Sequence, residues 1–481
     1  MGEIWQEARK SFVERWVAPG GEGKYVVCNR TDGLGERLRA LCNALAIAEF
    51  LGLGFKFSWP AGMKDHPQFH AVRPAEMTFA PDFVAAHQVE SLAAADFTEL
   101  VKARYTPDAL RDLAAQSGHG LLVQRDDVRE IMDVKAQPDW RQRFRRAFDS
   151  LPFCAGVEAA KDHALRLDMP PDCVAIHLRA GDIVFGEHRF RNLYSNKVVT
   201  YPVAKRLIGY LVEQGKYPLI FGQDAVTCNL LAERFGVRTA ADWLGLPEAD
   251  ALEAAIADIV LMSRCERILA GNSGFALLAA GLSGATHDNP ANLLPPEQTV
   301  ELIMGDEDID NPAVALPDLQ RAFAFFTAYR LGARTAPDED KLHMLARAIH
   351  YDRHNAFYRI TKASEYVAQG RWKMAESEIE RLFQTSYRPG TAMAASELYH
   401  MLPKGTARIA EMAPLMKTIA KLAARPDAPY ANFLLGMVAM ISRDPAAAGF
   451  FARSPAADPA NPYHKTLPAG LRAANGLYHG S

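Results

Sequence analysis

Residues 173–182, Cys-Val-Ala-Ile-His-Leu-Arg-Ala-Gly-Asp, constrain the fold more than any other stretch of the chain. Small and apolar residues run straight into His177, Leu178 and Arg179, and the run breaks at Ala180-Gly181-Asp182. A short apolar run bounded by a glycine turn predicts a buried strand. Predicted helices and strands then alternate: helix over 198–215, strand 217–224, helices 225–236 and 249–265, strand 267–272 and helix 273–284. Such βα alternation predicts a parallel sheet with helices on both faces. Ligands of these sheets bind beyond the carboxyl ends of the strands, where loops and helix N-termini present backbone N–H groups. His177 and Arg179 alternate with Ile176 and Leu178, so they are expected to face that crevice beside Asp182. The planar guanidinium fork suits a pair of phosphate oxygens. A plain strand-end salt bridge between Arg179 and Asp182 is the alternative.

A second strand, glycine loop and helix unit lies earlier: strand 24–30, the turn Thr31-Asp32-Gly33-Leu34-Gly35-Glu36, and a helix over 37–52 with Leu38, Leu41, Leu45, Ala48 and Leu51 at helical spacing. Gly33 and Gly35 stand where a backbone turns tightly or meets a ligand. Asp32 and Glu36 stand on that loop as candidate general bases or as caps of the helix beginning near Arg37. Between 60 and 165 only a strand over 120–125 and helix after Pro138 are indicated. Two alternating regions predict two facing sheets with a cleft between them. Asp224 ends the strand at 217–224 and would face ligand or cap the next helix. Asn272, Ser273 and Gly274 open the helix at 273–284, as an anion-binding start or as a serine cap.

Beyond 310–317 strands disappear. Ala363, Tyr366, Gly370, Ala375, Ile379 and Leu382 fall at the offsets of a tetratricopeptide hairpin, with a weaker echo over 430–462. A plain helical bundle is the other reading. The expected organisation is an α/β domain over 1–165, a second over 166–317, and an α-helical repeat-like module over 318–481. With 49% hydrophobic and 23% charged residues in 481, the chain has the composition of a folded globular protein. A net charge of −3 offers no bulk attraction to nucleic acid or to an anionic membrane. The six cysteines show no metal-type spacing and read as reduced core residues. The charged stretch 1–16 lacks an apolar signal core, and no window reaches a membrane-spanning length, so a cytoplasmic location is expected. The Asn29 sequon is read as chance.

The stretches GLGERLRALCNALAIAEFLG, AIHLRAGD, IFGQD and DIVLMSRCERILAGNSGFALLAA, in that order between residues 25 and 282, resemble the fucosyltransferase superfamily of nodulation, α-1,2, α-1,6 and protein O-fucosyltransferases. The resemblance covers somewhat over half of the chain. It implies a GT-B pair of Rossmann-type domains, a GDP-sugar donor, inversion at the anomeric carbon and no required metal or cofactor. The implied reaction moves fucose from GDP-fucose to a hydroxyl of a glycan or protein acceptor. Arg179 would hold the donor β-phosphate, with His177 and Asp182 shaping its loop. Ser273, Gly274 and Phe275 would meet pyrophosphate and sugar, Asp258 would lie near the nucleoside, and the glycine loop would face acceptor and transferred sugar. Where many relatives carry a second basic residue after the arginine, this chain has Ala180; Arg189, Arg191 and Lys197 in the following loop are the candidate replacements. Another nucleotide sugar, or a catalytically silent adaptor whose helical tail binds a protein partner, are the competing readings. A dinucleotide-dependent oxidoreductase is disfavoured, because the glycine loop lacks a third glycine and an acidic ribose anchor.

Overall fold

The apolar run at 24–28 forms the first strand of a parallel sheet in the computed structural model, which describes residues 23–60, 72–89, 97–136, 138–190, 194–386, 406–441 and 444–466. The stretch 1–16 and Arg191 lie outside the described residues. The sheet contains β1 (Tyr25–Cys28), β2 (Gly54–Phe57), β3 (Thr98–Glu99) and β4 (Gly120–Val123) in the order β2-β1-β4-β3. A second parallel sheet contains β5 (Cys173–Leu178), β6 (Tyr217–Gly222), β7 (Arg238–Thr239), β8 (Arg267–Ala270) and β9 (Thr286–Asp288), ordered β7-β6-β5-β8-β9. The predicted mixed α/β class with parallel sheets is therefore observed. β2, β3, β7 and β9 carry no separate signal in the pattern; β3 and β7 have two residues each, too few to show a period.

Both sheets belong to one of two compact units, made of the described residues up to Arg179 together with Lys197–Val199 and Arg206–Leu293. One continuous apolar core runs through it, from Val26 and Phe57 to Ile256 and Leu278. Helix α1 (Leu34–Leu51) is buried on nearly all sides over its first four turns, because it packs on the first sheet and also against α2 (Trp140–Asp149) and α7 (Gly274–Ser283). In sequence between α2 and α7 come α3 (Ala155–Arg166), α4 (Tyr201–Glu213, of which Arg206–Glu213 belongs to this unit), α5 (Ala225–Phe235) and α6 (Ala251–Ser263). Asp250 and Glu253 form a reciprocal capping box at the start of α6.

The second unit comprises the described residues of Ala180–Asn196, Thr200–Lys205 and those from Leu294 onward. Its main helices are α8 (Asp318–Gly332), α9 (Asp338–Tyr351), α10 (Ala356–Ala368), α11 (Trp372–Ser386), α12 (Thr406–Ala423) and α13 (Pro429–Ile441). α10 and α11 form a helical hairpin, turning at Gly370 (φ +71°) and burying Ala363, Tyr366, Ala375, Ile379 and Leu382. Arg359 crosses that hairpin to Glu378 at 2.6 Å, both side chains being buried. Among the described residues after α13 the chain makes a short α-helix, Ala447–Phe451, followed by 3-10 turns at Pro455–Ala457 and Pro462–Thr466.

The helical unit also grips the segment that follows Arg179. Arg189 pairs with Asp352 at 3.4 Å, and Asn355 Nδ2 donates to the Arg189 carbonyl at 3.2 Å. Lys205 bridges Asp306 and Asp308 at 2.5 and 2.8 Å, and the Tyr201 hydroxyl donates to Asp308 at 3.0 Å.

Arg321, 3% exposed, ties the loop before α8 together. Its guanidinium donates to the carbonyls of Leu316, Asp308, Ile309, Asn311 and Val314. Arg321→Met removes all of these donors while keeping much of the side-chain volume, and leaves buried carbonyls unsatisfied. We expect a loss of roughly 3–5 kcal/mol from the unfolding free energy of the second unit, measured by urea denaturation.

Candidate functional site

Strand β5 lies at the centre of its sheet, between β6 and β8, with His177 in register with Phe221 and Ala270. Three strand ends therefore open side by side: Arg179 follows β5, Gln223 and Asp224 follow β6, and Gly271 to Ser273 follow β8. This is the side-by-side placement that βα alternation predicts. Arg179 Nη1 donates to Gln223 Oε1 at 3.2 Å. The His177 ring stacks on Phe275 with centroids 5.6 Å apart and planes 17° apart. Burial, reinforced by the Arg179 and His287 charges, pushes the His177 pKa down to about 3, so the ring is neutral at physiological pH. Its Nδ1 is buried without a hydrogen-bond partner among the described residues.

The glycine loop meets this end of the second sheet. Helix α1 begins at Leu34, three residues before the expected start, which places Gly35 and Glu36 in its first turn. Gly33 is the extended N-cap residue (φ −64°), so no left-handed turn requires it to be glycine. Gly35 is a different case: a Cβ there would lie 2.5 Å from Phe275 N and 2.7 Å from Gly274 C. Only a glycine lets the start of α1 touch the start of α7. Gly274 has the reciprocal constraint, since its Cβ would lie 2.3 Å from Glu36 Cδ. The Glu36 carboxylate thus lies directly on the first residue of α7.

Lys197 reaches that carboxylate, with Nζ 2.7 Å from Glu36 Oε1. Burial alone would raise the Glu36 pKa, but the charge and hydrogen bond of Lys197, helped by Arg179, bring it below the ordinary value. The carboxylate is therefore ionised and sits in a field of two cations at a helix start. Arg37, 2% exposed, shapes the loop behind it by donating to the carbonyls of Asp32, Pro60 and Thr31 at 2.6, 2.6 and 2.7 Å. An arginine on the apolar stripe of a predicted helix was the only sequence signal for that role.

The other candidates lie differently. Asp32 is turned onto Arg30, whose Nε and Nη2 hold its carboxylate at 2.8 and 2.5 Å. Asp224 is buried and accepts from the backbone and hydroxyl of Thr227 at 3.3 and 2.5 Å, which makes it the N-cap of α5. Asn272 is exposed and accepts from Asn289 Nδ2 at 3.1 Å. Ser273 is the buried N-cap residue of α7 and makes no side-chain capping bond. Asp258 lies on α6 close enough to Cys228 to disfavour its thiolate, and burial raises its own pKa to about 7. Asp182 belongs to the second unit, where it lies 3.4 Å from His188 Nε2.

Among the described residues no three His, Cys, Asp or Glu side chains come together as a metal-ligand set. No helix among them is long and apolar enough to cross a membrane.

No family model matches the sequence. No curated protein matches it either. Among solved structures, the chain is similar to the fucosyltransferase NodZ from Bradyrhizobium at 10% identity, over 54% of this chain and 93% of that one, with a TM-score of 0.31. It is similar to the NodZ α-1,6-fucosyltransferase soaked with GDP-fucose at 12% identity over 54% and 93%, TM-score 0.31. It is similar to POFUT1 in complex with GDP-fucose at 12% identity over 56% and 97%, TM-score 0.30.

Proposed function

We propose that the chain is an inverting glycosyltransferase that moves a sugar, with fucose from GDP-fucose as the first candidate, onto a hydroxyl of a glycan or protein. The observation that carries this reading is the cluster of Arg179, Lys197, His177 and Phe275 around the abutting starts of α1 and α7. Two cations and a helix start favour a diphosphate, and the His177–Phe275 pair offers an apolar wall beside it. The four sequence motifs support the same donor class. In the division of labour we propose, the second sheet binds donor, the glycine loop faces the acceptor, and the tetratricopeptide-like helices present a surface for acceptor or protein partner.

Glu36 is the loop carboxylate we place as base, because it lies on the start of α7 within the field of Arg179, whereas Asp32 is turned onto Arg30. The acceptor oxygen attacks the anomeric carbon while its proton passes to the Glu36 carboxylate. The bond from the anomeric carbon to the phosphate oxygen breaks, and its electron pair leaves with the nucleoside diphosphate. Arg179 stabilises the charge that develops on that oxygen, an electrostatic contribution that requires no metal in this scheme.

Thermal unfolding in the presence of GDP, GDP-fucose, UDP or NAD, each with excess chelator, tests the reading. A guanosine diphosphate ligand at one hundred times its dissociation constant is expected to stabilise the protein by about 2.7 kcal/mol. A preference for NAD, a need for divalent metal, or indifference to every nucleoside diphosphate would overturn it.

A further inference from the structure

The carboxylate of Glu36 occupies the kind of position that a ligand phosphate would take. It lies on Gly274 at the start of α7, accepts from Lys197 at 2.7 Å and is within the field of Arg179. The pair is mostly enclosed, with the lysine and glutamate side chains 25% and 16% exposed, so its attraction is only partly screened. Close by, His177 stacks on Phe275, and its buried Nδ1 has no hydrogen-bond partner among the described residues. The geometry points to Lys197 as a shared cation: it neutralises Glu36 while the site is empty and transfers to the diphosphate of the donor when one binds, which releases Glu36 to act on the acceptor. This inference rests on the donor class proposed above.

The physical consequences are reciprocal. An anionic ligand must compete with Glu36 for Lys197, so the carboxylate lowers diphosphate affinity. Once the ammonium has moved to the ligand, Glu36 keeps its burial but loses its nearest cation, and its proton affinity rises. A donor-loaded site thus has a better base than an empty one, which favours donor binding before acceptor. Lys197 would also supply the second positive charge that Ala180 cannot.

Calorimetry with GDP and with inorganic pyrophosphate on the full chain tests the exchange. Glu36→Gln keeps the shape of the side chain and is expected to bind both probes about tenfold more tightly than wild type. Lys197→Ala is expected to bind them about tenfold more weakly, and the double variant to bind them more tightly than Lys197→Ala and more weakly than Glu36→Gln, because the carboxylate also repels the ligand directly. Circular dichroism confirms folding of each variant. A separate readout is the carbon-13 carboxyl titration of Glu36, assigned with Glu36→Gln, which is expected to move to higher pH when GDP is bound. If wild type binds GDP and Arg179→Ala does not, while Glu36→Gln binds no tighter or the Glu36 titration does not move, the shared-cation inference is overturned and the donor reading stands. If wild type binds neither probe, both are overturned.

Discussion

Replacing Arg179 with alanine is expected to lower transfer by about 10²–10³-fold, equivalent to about 2.7–4 kcal/mol of transition-state stabilisation, while leaving the fold intact. The guanidinium follows the last residue of β5, at the strand end rather than within the apolar core, where it donates to Gln223 at 3.2 Å. It is not part of the continuous apolar core, so the melting temperature should stay close to that of wild type. Arg179→Lys should recover only part of the activity, since an ammonium supplies charge without the planar fork. Single-turnover transfer from GDP-fucose, paired with thermal unfolding, checks both statements. An Arg179→Ala protein with near-wild-type transfer would remove this residue from the site.

Gly35→Val should damage binding and stability together. Its Cβ would come within 2.5–2.8 Å of Gly274 and Phe275 main-chain atoms, which cannot swing aside as a side-chain tip can. Relief requires α1 and α7 to separate, which disturbs Phe275 against His177 as well as Glu36 against Gly274. We expect a stability loss of about 3 kcal/mol, at the upper end of ordinary overpacking, and loss of GDP binding by calorimetry. Gly33→Ala is the matched control: its φ of −64° is open to any residue, and its Cβ would meet only the Glu36 carboxylate, with Oε2 at 3.0 Å. It should change stability by less than about 1 kcal/mol. Equal damage from both substitutions would show that loop flexibility, rather than helix contact, explains the glycines.

The elements that carry the candidate site are largely legible in the residue pattern. β5, β6 and β8 are apolar runs broken by polar or glycine residues, and that pattern reports burial directly. The hairpin of α10 and α11 is legible for the same reason, since its small and apolar residues recur at helical spacing. The start of α1 falls earlier than the pattern indicates because Gly33 and Gly35 read as a loop, whereas Gly35 serves contact between helices. Asp224 shows the opposite limit: a strand-end carboxylate before a helix has two local readings, and only the 2.5 Å bond from Thr227 selects the cap.

The sequence by itself determined the periodicities: which segments are strands or helices, which faces are apolar, and that Arg179 stands at the end of a buried run. It did not determine partners, because a pattern encodes how much of a residue is buried and not against what. Lys197 and Glu36 are 161 residues apart and meet only when both sheets share one core. Likewise, Asp352 and Asn355 are ordinary helix-end residues in the sequence, yet the tertiary structure uses them to hold Arg189 in the segment that leaves Arg179. The charge on Glu36 is set in the same way: burial raises its proton affinity and two cations lower it, and the balance exists only where the fold brings all three groups together.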